Sequence, residues 1–145
     1  MSYRISRVYI LLIASLVFFS SISFVSSNKA SIKVNITNIE NSKGQVIVAL
    51  YTNEADFPKK PFLSKTNKII DGKSVVIFDN IKKGKYAIAI IHDENSNGKL
   101  DFNILGIPSE NTAASNNAKG LFGPPSWEDA VFTVENGNVI QEIEM

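Results

Sequence analysis

Apolar and polar residues alternate with a period of two, and glycine-bearing turns break the alternation into short runs. Ile32, Val34 and Ile36 alternate with Lys33, Asn35 and Thr37. A period of two puts one side of an extended strand in a core and the other in water. Further strand runs cover residues 67–70, 73–78, 84–92, 131–135 and 138–144, and residues 46–51 read as a more buried strand. Asp71-Gly72 and Asn136-Gly137 each stand between two runs. Both pairs suit a two-residue hairpin turn, whose central residues need positive φ. In the run 84–92, Tyr86, Ile88 and Ile90 fall on one face and Ala87, Ala89 and Ile91 on the other, as a central strand requires. No segment after residue 27 sustains a helical period. These runs predict an all-β, antiparallel, seven-stranded sandwich.

Two stretches break the pattern. Residues 52–66 carry Phe57-Pro58 and Pro61-Phe62 and read as an irregular excursion with room for one helical turn. Residues 100–130 contain no clear strand, a length that is unusual inside a compact domain. The tract from Ser74 to Ile90 resembles the strand, short loop and Gly-x-Tyr strand of prealbumin-like and collagen-adhesin B-type sandwiches. The resemblance implies an Ig-like or prealbumin-like β-sandwich with one long irregular loop region. It specifies architecture, not activity.

The first 27 residues read as an address. Arg4 and Arg7 precede an apolar run from Val8 to Phe19, and Val25-Ser26-Ser27 offers small residues at a cleavage position. This pattern predicts a signal peptide over 1–27 and a single β-sandwich domain over 28–145. A retained anchor over residues 8–25 is the alternative, at the short end for a bilayer and diluted by serine. With the signal removed, no stable membrane span is expected, and the protein is expected to be periplasmic or secreted. The chain has no cysteine, so an exported form cannot rely on disulfides. Fifteen Lys and Arg stand against fourteen Asp and Glu, which gives no single-sign field of the kind nucleic acid binding needs.

The strongest chemical signal is Asp93-Glu94-Asn95-Ser96-Asn97-Gly98-Lys99-Leu100-Asp101, which fits D-x-[DN]-x-[DN]-G. In a calcium loop the side chains at positions 1, 3 and 5, here Asp93, Asn95 and Asn97, converge on one ion. Gly98 makes the sharp turn, Lys99 supplies a backbone carbonyl, and Asp101 binds directly or through water. Position 12, where an EF-hand has glutamate, is Ile104, and a strand rather than a helix precedes the loop. The expectation is therefore a calcium loop grafted on a sandwich, completed by an acid such as Glu110, Glu128 or Asp129. The same residues also suit a solvated turn.

His92, the only histidine, is a candidate ligand-binding residue, or half of an acid–base pair with Asp93 in a hydrolase or lyase. Its structural alternative is an imidazole that bonds loop backbone. No serine has a G-x-S-x-G setting. Phe122 and Trp127 lie in a loop stiffened by Gly120, Gly123, Pro124 and Pro125. They could stack on a sugar, as in a carbohydrate-binding module, or simply cover one end of the sandwich.

His92 to Asp101, Leu105 to Glu110, Ser115 to Ala118 and Gly123 to Ala130, in this order, resemble a family of exported bacterial proteins catalogued as a domain of unknown function. The resemblance spans roughly residues 31–144 and implies a small exported β-sandwich with no established enzyme activity. Asn111-Thr112-Ala113-Ala114 stands where the family commonly has a glycine-aromatic stretch. Together these readings give a non-enzymatic binding or accessory module of the bacterial envelope, its loop braced by calcium, its partner a protein or glycan there.

Overall fold

The structure is a computed structural model, and it describes residues 29–145 apart from Phe122 and Asn136. The segment read as a signal peptide, and one residue of the Asn136-Gly137 turn, lie outside the described residues. Among the described residues eight strands appear: β1 (Ala30–Thr37), β2 (Gln45–Tyr51), β3 (Leu63–Asn67), β4 (Ser74–Ile81), β5 (Gly84–Asp93), β6 (Thr112–Ala114), β7 (Phe132–Val134) and β8 (Asn138–Glu144). Among the described residues the one α-helix is the single turn α1 (Trp127–Ala130), which stands before β7, and Ser115–Asn117 makes a short 3₁₀ turn.

The strands form two sheets. The smaller has the order β4-β1-β8, and the larger has the order β3-β2-β5-β6, with β7 also pairing with β5. The alternation seen in the sequence builds the core between them. Ile32, Val34 and Ile36 of β1, Val76 and Phe78 of β4 and Ile143 of β8 are buried. They share one cluster with Val46, Val48 and Leu50 of β2 and Tyr86, Ile88 and Ile90 of β5. The all-β sandwich expected from the sequence is therefore the fold.

Three expectations need correction. The sheets are not wholly antiparallel, because β8 runs parallel to β1, from Ser31↔Asn138 to Thr37↔Glu144. Asn136-Gly137 does not join a hairpin, since β7 pairs with β5 in one sheet and β8 with β1 in the other. Asp71-Gly72 does make the expected local turn, with φ of 51° and 68° and a bridge from Ile70 to Lys73. Yet the strands on either side, β3 and β4, belong to different sheets. In both places the chain passes from one sheet to the other. Pairing is decided by which buried faces meet, and a local turn signal does not encode that.

The third correction concerns strand number and place. The run at 67–70 is displaced to Leu63–Asn67, inside the region read as irregular, because this exposed strand is recruited by hydrogen bonding to the edge of β2. The region 100–130 likewise supplies β6, paired to Ala89–Ile91 of β5. Strands this short carry too few side chains to show a period. Residues 54–59 form turns rather than a helix, with Lys59 and Lys60 N–H both donating to the Asp56 carbonyl.

Candidate functional site

The oxygen-rich loop begins where central strand β5 ends. Three features at the end of the β1–β2 connection and the start of β2 fix that strand end. Gly44, at φ 63°, lies so close that an added Cβ would stand 2.0 Å from the Asp93 carbonyl oxygen. The His92 ring Nε2 donates to the Lys43 carbonyl at 3.0 Å. Gln45, paired in register with Asp93, donates its side-chain amide to Asp93 Oδ2 at 2.8 Å.

Asp93 is fully buried, and the loop winds around its carboxylate. Oδ1 accepts Asn97 N–H at 3.0 Å and Oδ2 accepts Gly98 N–H at 2.9 Å. Asn95 Oδ1 accepts Asn97 N–H, and Asn97 Oδ1 accepts Lys99 N–H, both at 3.0 Å. The two amides then converge on Asp101, whose Oδ2 accepts Asn95 Nδ2 at 2.6 Å and Asn97 Nδ2 at 2.8 Å. Glu110 ties the loop's ends together, Oε1 taking Glu94 N–H at 3.1 Å and Oε2 taking Asp101 N–H at 3.0 Å.

Burial works against the charged form of Asp93. Hydrogen bonds from Gln45, Gly98, Asn97 and Ser96 outweigh it and hold the carboxyl below its ordinary value. The site thus keeps an anion at its centre. Asp93, Asn95, Asn97 and Asp101 are brought together as the spacing predicts. Lys99 enters the network through its N–H. Of the acids considered for completing the shell, Glu110 reaches the loop. Asp129 instead caps α1 with Ser126, its N–H on Ser126 Oγ at 3.2 Å. Among the described residues, no three His, Cys, Asp or Glu side chains are grouped to hold a metal by themselves. An ion here would draw on amide and carbonyl oxygens beside the two carboxylates.

The remaining candidates are placed apart. His92 is fully buried at the edge of the inter-sheet core, and its Nδ1 has no partner among the described residues. It and Asp93 are neighbours on a strand, so their side chains leave on opposite faces, and they share no hydrogen bond. Trp127 is half-buried on the outer side of the larger sheet, its ring 5.9 Å from that of Phe57, which in turn meets Tyr51 edge-on at 5.1 Å. These rings cover Ala49, Ala87 and Ala114 rather than an end of the sandwich. Phe122 lies outside the described residues.

The segment Ser115-Asn116-Asn117 entered the sequence reading only as part of the family resemblance, and it proves to be a joint. Strands β6 and β7 pair with separate stretches of β5, leaving the Ile88 N–H between them. Ser115 Oγ accepts that N–H at 2.9 Å and donates to the Ala130 carbonyl. Asn116 Nδ2 reaches the carbonyls of Asp129 and Val131 at 3.1 and 3.0 Å. Asn117 bonds the edge of β8 at Glu142 and Glu144. The physical signal in the sequence is the pair of adjacent asparagines, which adopt positive φ here.

The loop, the Leu105–Glu110 segment and the Ser-Asn-Asn joint are all positioned within one two-sheet unit, and one family model matches residues 34–142 across that unit. The chain belongs to the bacterial family DUF2141. That family is described as an uncharacterized protein conserved in bacteria. No curated protein matches the chain. No solved structure matches it either. Among the described residues no helix is long and apolar enough to cross a membrane.

Proposed function

We propose that this DUF2141 member is a non-enzymatic module of the bacterial envelope, exported by its first 27 residues, whose loop 93–101 binds calcium. Its sandwich is read as prealbumin-like. One observation carries the reading: oxygens of Asp93, Asn95 and Asn97 are held by backbone N–H groups of one loop, and Asp101 Oδ2 is held beside them by the Asn95 and Asn97 side-chain amides. A carbonyl or carboxylate oxygen that accepts one N–H keeps a second lone pair. Calcium takes six to eight such hard oxygens in flexible geometry. An ion there would replace the amide contacts to Asp101 by bonds to oxygen, and water would fill the positions left. With two carboxylates in the set, a dissociation constant of about 10⁻⁴ to 10⁻³ M is expected, as in extracellular modules.

Thermal melting in calcium and in chelator tests the reading. At tenfold excess over its dissociation constant, bound calcium adds about 1.4 kcal/mol of stability, a rise in Tm of several degrees for a domain of this size. Magnesium, which demands tighter octahedral geometry, should give less. Melting temperatures that coincide in calcium and chelator would remove the ion from the proposal.

A further inference from the structure

Directly after the loop, the chain makes a small projecting hairpin over residues 101–109. Its base is closed by Ser109 N–H on the Asp101 carbonyl at 2.9 Å and by a bridge between Phe102 and Pro108. The hairpin presents Phe102 at 58% exposure, Ile104 at 102%, Leu105 at 77% and Ile107 at 56%. Ile104 is thus as open as in an extended chain, and Gly106 at the tip has open space where a Cβ would stand. Residues 102–109 carry no charged side chain.

Four backbone donors of this tip are satisfied within it. Asn103 N–H donates to the Ile107 carbonyl at 2.9 Å, and Gly106 N–H donates to the Asn103 carbonyl at 3.0 Å. Asn103 Oδ1 accepts the N–H groups of Leu105 at 2.9 Å and Ile107 at 3.1 Å. Pro108 has no N–H to satisfy. An apolar medium penalises a backbone donor that arrives without a partner; the donors of Asn103, Leu105, Gly106 and Ile107 arrive partnered, which leaves that of Ile104 to find one at the interface.

We propose that this hairpin docks the protein on a phospholipid surface by inserting Ile104 and Leu105, with Phe102 and Ile107 at the interface. A convex tip without charge, its one amide oxygen already engaged, offers a specific protein partner little to recognise by direction. It matches a fluid apolar layer, where buried apolar area supplies the affinity. The outer face of the smaller sheet differs: its exposed Val75, Ile77 and Ile140 are interrupted by Lys33 and Asn35, which sit between them in register.

Because the chain has no cysteine, an Ile104→Cys variant takes one environment-sensitive fluorophore at the tip. Ile140→Cys, exposed on the smaller sheet, is the control. On addition of phosphatidylethanolamine–phosphatidylglycerol vesicles, the probe at 104 should shift to the blue and the probe at 140 should not. Adding Leu105→Ser to the labelled protein should weaken vesicle association about tenfold or more. No shift at 104, equal shifts at both sites, or an unchanged midpoint with Leu105→Ser would overturn the proposal. So would a shift at 104 that grows with protein concentration in the absence of vesicles, which would mark contact with a second copy. The readout is independent of the proposed ion, whose failure shows in melting and not in probe emission.

Discussion

Asp93 illustrates how one residue links strand, loop and proposed ligand. Its carboxylate closes the loop through two backbone N–H groups and takes a third bond from Gln45. Because its pKa is depressed in the fold, the bonded anion contributes stability at pH values above its unfolded pKa, about 3.9. That contribution is lost as pH falls below this value and through the lower folded one. Urea midpoints measured from pH 6 down to pH 3 should therefore fall, and Asp93→Asn should flatten this part of the profile while lowering stability at pH 6. A profile for Asp93→Asn as steep as that of the wild type would place the acid sensitivity elsewhere. The sequence signals at this scale were strong: the spacing of short oxygen-bearing side chains foretold which would meet. Glu110 stood out less, because its bonds to Glu94 and Asp101 bridge a gap in sequence that no motif spans.

Among elements, legibility followed length. Strands β1, β4, β5 and β8 bury a periodic set of side chains and could be read from it, and β2 could be read from its unbroken apolar run. Strands β3 and β6 are short, and their place is fixed by the backbone edges they find, which leaves little trace in composition. The joint at Ser115 is of the same kind. Its hydroxyl stands in for a strand where β6 and β7 leave β5 uncovered, and it is fully buried. Ser115→Ala would leave the Ile88 N–H and one bond of the Ala130 carbonyl unmet away from water. A loss of about 1–3 kcal/mol follows, measurable by chemical denaturation. Ser115→Thr, which keeps the hydroxyl, should lose less if the extra methyl fits. A Ser115→Ala protein as stable as the wild type would mean that water or a backbone shift satisfies those groups.

For the whole molecule, the parallel pairing of β1 with β8 matters most. Strand β1 lies between β4 and β8, so the smaller sheet is complete only when the end of the chain returns to its first described strand. No local signal announces such a return. Period two showed that residues 138–144 form a strand, and the adjacent Asn-Gly suggested the wrong neighbour. Long-range closure makes β8 an integral part of the fold rather than an appendage. Its Ile143 is buried in the common core, whereas its Ile140 is exposed on the outer face. Ile143→Ala should therefore cost about 2–5 kcal/mol, from lost burial and the cavity left behind. Ile140→Ala should change stability by about 0.5 kcal/mol or less. Equilibrium urea unfolding of the two variants separates these outcomes. If both fell in the narrow range expected of a surface change, the parallel register of β8 against β1 would be wrong, because a shift of one residue exchanges the two faces.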